Sequence, residues 1–215
     1  MQIIHKMLAN NLLDEWIHNK YLKTFNLLGK KFEDNKPFPY LEIEDFFKKS
    51  KIRNLKNALI KENFQLKESD LFTFLQTNDF SSSKNPAIKD FRNFIISKEF
   101  ISFIEKIANT KLKSAKADMH GTCYADTHFL LCHDDQLDNR NIAMMVYLSD
   151  MKKNDGGSLR LYDNNKGIPR NISKSIIPKF NKIVMFRVSN ISFHEVEEVR
   201  SNNPRIAISW WFYDK

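Results

Sequence analysis

The chain has 215 residues, 42% hydrophobic and 13% aromatic, which suits one substantial core and leaves little room for a second full domain. The net charge of +8 is carried mainly by Lys scattered among acids before residue 120; without an Arg-rich tract it suggests a basic, partner-facing surface, not direct nucleic-acid binding. No apolar run is long enough for a membrane span, and Met1-Gln2-Ile3-Ile4-His5-Lys6 lacks the pattern of a leader, so the expected location is the cytoplasm.

From Ile4 to Leu28, apolar Leu12, Leu13, Trp16, Ile17, Leu22 and Phe25 recur at near-helical spacing and predict a helix, with residues 1–35 as a helical extension. Lys36-Pro37-Phe38-Pro39-Tyr40 forces an extended connection, and Leu41-Glu42-Ile43 alternates as a short strand does. Helical periodicity resumes from Phe46 to Phe64 along Ile52, Leu55, Leu59 and Ile60. The period of Leu71 to Leu75 does not choose between strand and helix. A mostly polar loop runs from Asn78 to Pro86, and Ile88 to Leu112 is a second helical region, broken near Lys98.

The second half changes character. Thr122 to Cys132 reads as one strand holding both cysteines, Cys123 and Cys132, an odd number of positions apart and so facing opposite ways. That placement suits a reduced compartment. Ile142–Leu148 is an apolar strand, Asp155-Gly156-Gly157 a turn, and Ser158–Tyr162, Lys182–Val188, His194–Val199 and Arg205–Tyr213 are further strands. Weak alternation from Ile206 to Phe212 predicts a strand covered on both faces. The sum is an α+β fold: an antiparallel sandwich or barrel with helices packed on one side.

Leu130-Leu131-Cys132-His133-Asp134-Asp135 organises this half. On a strand, His133 and Asp135 point to one face and Asp134 to the other. An imidazole and a carboxylate so placed are two-thirds of the 2-His-1-carboxylate site of non-haem Fe(II) oxygenases, and His194 is the candidate third ligand. Eleven residues on, Arg205 suits a two-pronged grip on a carboxylate co-substrate. Taken singly, these residues read as a polar turn, a boundary histidine and a surface ion pair; the ordered set is far more specific. His128, an odd number of positions from His133, and His120, before the strand, are set aside as ligands.

Three runs carry a family resemblance: Tyr124 and Leu130 through Asp135 to Tyr147-Leu148, Gly156-Gly157-Ser158-Leu159 with Leu161-Tyr162, and Ser192-Phe193-His194-Glu195-Val196 followed by Arg205-Ile206-Ala207-Ile208-Ser209-Trp210-Trp211-Phe212. They resemble the Fe(II)/2-oxoglutarate-dependent prolyl hydroxylases that modify a ribosomal small-subunit protein, whose yeast and human members have two barrels. The resemblance implies a double-stranded β-helix with core at about 118–215, inside a single dioxygenase domain spanning 36–215. It implies Fe(II) bound by His133, Asp135 and His194, and 2-oxoglutarate held by Arg205 and Tyr147, with Tyr124, expected on the strand of His133, in the same pocket. It further implies dioxygen as oxidant, ascorbate as reductant, and a ribosomal protein as substrate. From the residues alone, Tyr124 and Tyr147 are core aromatics with a polar handle. Where many relatives have a small hydroxyl residue the chain has Ala207, and Trp210 stands where Gly is frequent; both are expected at the pocket rim. The alternatives are an oxygenase acting on free amino acid or alkylated nucleic acid, and a non-catalytic barrel that binds the ribosome.

Overall fold

Side-chain alternation along the strands decides how this chain is layered. The computed structural model describes residues 12–137 and 139–215. Six α-helices come early among the described residues: α1 (12–16), α2 (Asn19–Lys23), α3 (Phe25–Asp34), α4 (Lys49–Leu59), α5 (Pro86–Ile95) and α6 (Lys98–Ala108). Among them lie β1 (Tyr40–Ile43), β2 (Phe64–Ser69) and β3 (Phe72–Thr77). Eight strands follow: β4 (Leu112–Tyr124), β5 (Phe129–His133), β6 (Arg140–Tyr147), β7 (Leu159–Asn165), β8 (Ile168–Ile176), β9 (Ile183–Arg187), β10 (His194–Val196) and β11 (Arg205–Asp214).

All pairings are antiparallel, in the order β1-β9-β6-β11-β4-β3-β5-β10-β7-β8, with β2 on β3. Strands β1, β9, β6, β11 and β4 form one layer; β5, β10, β7 and β8 curl over to form the other. Along β6, Ile142, Met144 and Val146 point outward while Ala143, Met145 and Tyr147 point inward. Along β11, Ile208, Trp210 and Phe212 point outward and Ala207 inward. The outward set shares one core with Phe32, Leu55, Phe91, Phe94, Phe100 and Ile104 of the helices. The inward set meets Leu159, Leu161 and Ile176 of the opposite layer. Both faces of the main layer are thus covered, which is why β11 reads as near-continuous apolar sequence. Two curled antiparallel layers with helices behind one of them make the expected α+β double-stranded β-helix. Among the described residues no helix is long and apolar enough to cross a membrane.

Several elements differ from the sequence expectation. Of the helix expected over Ile4–Leu28, residues 4–11 lie outside the described residues; beyond them the backbone breaks at His18 and Thr24 into α1, α2 and α3. Ile17 leaves the helix to bridge Phe47. The Phe46–Phe64 helix is shorter, and Phe64 opens β2. Leu71–Leu75 resolves as strand β3. Thr122–Cys132 is two strands, turning through Thr127 at φ 67°. Cys123 and Cys132 are both free thiols, so their separation comes from lying on β4 and β5 instead of alternating along one strand.

Candidate active site

Strands β5 and β10 pair so that His133 lies directly opposite His194, with ring centroids 4.2 Å apart. His133 Nδ1 lies 2.8 Å from the Leu131 carbonyl, and His194 Nδ1 2.8 Å from the Ser192 carbonyl. A carbonyl only accepts, so each Nδ1 donates its N–H, and in a neutral ring the lone pair is then on Nε2. Both Nε2 atoms face Asp135: His133 Nε2 is 3.5 Å from Oδ1 and His194 Nε2 is 3.5 Å from Oδ2. One ligand atom from each of the three residues lies within 4.8 Å of the others.

Asp135 reaches this place differently from the strand-alternation argument. Strand β5 ends at His133, and Asp135 lies beyond it at φ 65°. Aspartate tolerates this left-handed conformation better than most residues. The turn is anchored by Ser192 Oγ, which donates to the Asp134 carbonyl (2.9 Å), and by the Gln136 amide, which donates to Asp134 Oδ1 (3.1 Å). Two side chains from the main layer then reach Asp135: Trp211 Nε1 donates to Oδ2 at 2.9 Å, and Arg140 NH1 stands 3.6 Å from Oδ1. Burial alone would raise the Asp135 carboxyl, but its hydrogen bonds with His133 and His194 hold it well below the usual carboxylate range. Burial lowers His133, yet the Asp135 partner outweighs it and the imidazole ends raised.

The second cluster lies on the inner face of β11. Arg205 is 2% exposed, and among the described residues no carboxylate lies within ion-pair distance of it. Its neighbours are the rings of Tyr124 (4.9 Å from the guanidinium carbon) and Tyr147 (5.0 Å), and Met145 Sδ at 3.8 Å from NH2. Arg205 Nε and Tyr147 Oη are buried without a partner among the described residues. Tyr124 is not on the His133 strand; it lies on β4, in register with Arg205, because the turn after it separates β4 from β5. Burial raises both tyrosines despite the nearby Arg205 charge. An unpaired buried cation and an unsatisfied hydroxyl are costly, and together they fit an incoming carboxylate.

His120 and His128 stay outside the triad: His120 lies 4.0 Å from Asp79, and His128 sits in the turn after β4. Ala207 lines the interior, but Trp210 does not reach the pocket rim; it is 0% exposed on the outer face, edge-on to Phe91 at 5.8 Å. An even spacing from Arg205 puts Trp211 inside and an odd one puts Trp210 outside. The same parity could have singled out Trp211, and Arg140 lies in the run that carries the family resemblance, with no role given to it there.

A histidine–carboxylate–histidine triad in the cup of such a barrel is the constellation used by non-haem Fe(II) oxygenases. Residues 119–213 are similar to the 2OG-Fe(II) oxygenase superfamily. The chain is 39% identical over 184 residues to the prolyl 3-hydroxylase OGFOD1 of Xenopus laevis, covering 84% of this chain and 36% of that protein. It is 33% identical over 197 residues to the prolyl 3,4-dihydroxylase OGFOD1 of Ostreococcus tauri, covering 83% and 38%. The chain thus spans little more than a third of the length of these curated relatives. In fold it is similar to a prolyl-4-hydroxylase of Pseudomonas putida, with a TM-score of 0.70 at 16% identity, covering 87% of this chain and 99% of that one.

Proposed function

We propose that the chain hydroxylates prolyl residues of a protein, with Fe(II) held by His133, Asp135 and His194 and 2-oxoglutarate held by Arg205, Tyr147 and Tyr124. The observation that carries this reading is a pair of features in one cup: three convergent ligand atoms and a buried guanidinium with no carboxylate at ion-pair distance among the described residues. Relatives named as prolyl hydroxylases support the prolyl substrate. The resemblance to the ribosomal prolyl hydroxylases supports a ribosomal small-subunit protein as target, a cytoplasmic location and ascorbate as reductant.

When bound, Fe(II) and 2-oxoglutarate supply the oxidising chemistry, coupling dioxygen use and loss of carbon dioxide from the co-substrate to hydroxylation of a C–H bond. The residues of the chain do the rest. His133 and His194 present Nε2 because their Nδ1 protons are engaged by carbonyls. Asp135 remains a carboxylate at neutral pH and supplies an anionic oxygen. Arg205 offers a planar pair of N–H groups to the far carboxylate of the co-substrate, and Tyr147 Oη donates to the same group. Phe186, whose ring packs 4.6 Å from that of His194, and Leu161 line the interior with apolar surface that keeps water from the reacting end.

The test is mass spectrometry on ribosomal proteins incubated with the chain, Fe(II), 2-oxoglutarate and air, with Asp135→Ala as control. The expected result is one added oxygen on a prolyl residue, absent in the control. Succinate without prolyl oxidation would move the substrate to free amino acids or nucleic acid, and neither product from a folded protein would refute the enzyme.

A further inference from the structure

The two histidines of the triad are fixed by a strand pair, but the carboxylate is not. His133 and His194 sit at matched positions of β5 and β10, and each ring is pinned through Nδ1. Asp135 lies past the end of β5, in a left-handed conformation, so no ladder hydrogen bond sets its direction. Its turn is held at Asp134, whose carbonyl accepts from Ser192 Oγ just ahead of β10 and whose Oδ1 accepts from the Gln136 amide within the turn. The Asp135 carboxylate is held from the opposite layer.

Two residues do this. Trp211 Nε1 donates to Asp135 Oδ2 at 2.9 Å. Arg140 stands 3.6 Å from Oδ1 and lies over the Trp211 ring, its guanidinium carbon 4.1 Å from the ring centroid. Arg140 opens β6 and Trp211 is near the end of β11, and these strands are paired, so both groups rest on one rigid piece of sheet. The contacts are sheltered, with Arg140 and Asp135 side chains 15% and 10% exposed. In such surroundings a neutral N–H and a cation act on a carboxylate with little competition from water.

We propose that Trp211 and Arg140 form a stacked clamp that orients the Asp135 carboxylate toward the metal, with Trp211 occupying one lone pair of Oδ2 and Arg140 drawing Oδ1. Both are positioning residues: they act on the centre through Asp135. The inference rests on the reading of His133, Asp135 and His194 as a metal centre. It goes further by giving the centre a support from the helix-backed layer, so that it spans both layers of the barrel. Trp211 is the more specific half, since only its ring edge gives Asp135 a directional donor.

The experiment is titration of the purified chain with Mn(II), followed by the electron paramagnetic resonance of free and bound ion, for wild type, Trp211→Phe, Arg140→Gln and His133→Ala. Phenylalanine keeps an aromatic ring beneath Arg140 and removes the N–H. The expected result is a ~10- to 100-fold weaker Mn(II) affinity for Trp211→Phe, as is usual when the outer partner of a metal ligand is lost. Arg140→Gln should weaken it in the same direction. The bound-ion line shape should also change in Trp211→Phe, because the ligand carboxylate is free to turn. Circular dichroism of each variant checks that it is folded. A folded Trp211→Phe that binds Mn(II) with wild-type affinity and line shape would overturn the clamp, even if its melting temperature fell. Wild type binding no tighter than His133→Ala would instead overturn the metal centre itself, and the clamp with it.

Discussion

Arg205 is a cation with 2% of its surface exposed, two tyrosine faces for company and no carboxylate within ion-pair distance among the described residues. Leaving a charge in that state costs stability, whereas replacing a buried charge by an apolar side chain of similar length is frequently neutral or stabilising. Arg205→Met should therefore melt at the same temperature as wild type or higher when no 2-oxoglutarate is present. It should also lose the rise in melting temperature that excess 2-oxoglutarate gives the wild type. Calorimetry with and without the co-substrate reads both effects, and a retained ligand-induced shift in Arg205→Met would remove Arg205 from the co-substrate pocket. A second residue-scale expectation concerns Cys132, next to His133. Burial and the nearby Glu195 and Asp134 charges push its thiol up to about 11, and burial also raises Cys123. The reactive species is the thiolate, present only above the pKa, so at pH 8 iodoacetamide should label Cys132 much more slowly than free cysteine and faster as pH passes 10. Rapid labelling at pH 7 would contradict the buried environment. At this scale the sequence was most readable where polar groups stand at the ends of apolar strands: His133 closes β5, and His194 and Arg205 open β10 and β11, with Asp135 two residues beyond His133. Arg140 and Trp211 did not stand out, since their role depends on where a turn carries Asp135.

Elements were legible in proportion to how much apolar surface they bury. Strands β6 and β9 are buried at most positions and β11 at six of ten, and their sequences announce them. Strand β8 is mostly exposed, and β2 has no buried position, so neither carries a period to read. The single strand expected over Thr122–Cys132 fails for a related reason: aromatic and apolar residues on either side of a short turn look continuous. The Asp155-Gly156-Gly157 turn was legible because its chemistry is steric. Gly156 sits at φ 75° and bridges Val199, and a Cβ there would stand 2.0 Å from the Glu198 carbonyl oxygen. Neither the backbone conformation nor that approach admits a side chain. Gly156→Ala should destabilise the fold by ~1–3 kcal/mol or more. At ~2–4 °C per kcal/mol for a chain of this size, the melting temperature should drop by several degrees. An unchanged melting temperature would mean that the turn and the Glu198–Arg200 segment can part without cost.

At the scale of the whole molecule, the helices and the barrel are two sides of one core. Trp16, Phe32, Leu55, Phe91, Phe94 and Phe100 share a single buried cluster with Ile142, Met144, Ile183, Met185, Ile208, Trp210 and Phe212. The sequence suggested a helical first half and a stranded second half, but periodicity describes one element at a time. The covered strand at Ile206–Phe212 and the helices packed on one side were expected; what periodicity did not give is that the outward faces of β6 and β9 share that same core. If this core is indivisible, the strands from β4 onward cannot fold by themselves, because the outward faces would form a large apolar patch in water. A fragment comprising residues 112–215 should aggregate or remain without a fixed structure. In the full chain, Trp210→Ala, which empties a 0% exposed site against Phe91, should lose ~3–5 kcal/mol and still unfold in one transition. Helix content by circular dichroism and the remaining tryptophan fluorescence should then lose signal at the same denaturant concentration. Two separated transitions, or a soluble 112–215 fragment with a dispersed NMR spectrum, would make the helices an accessory to an independent barrel. Coincident loss makes them a condition of the active site, since the strands that carry Arg140, Tyr147, Arg205 and Trp211 take their places only against that helical layer.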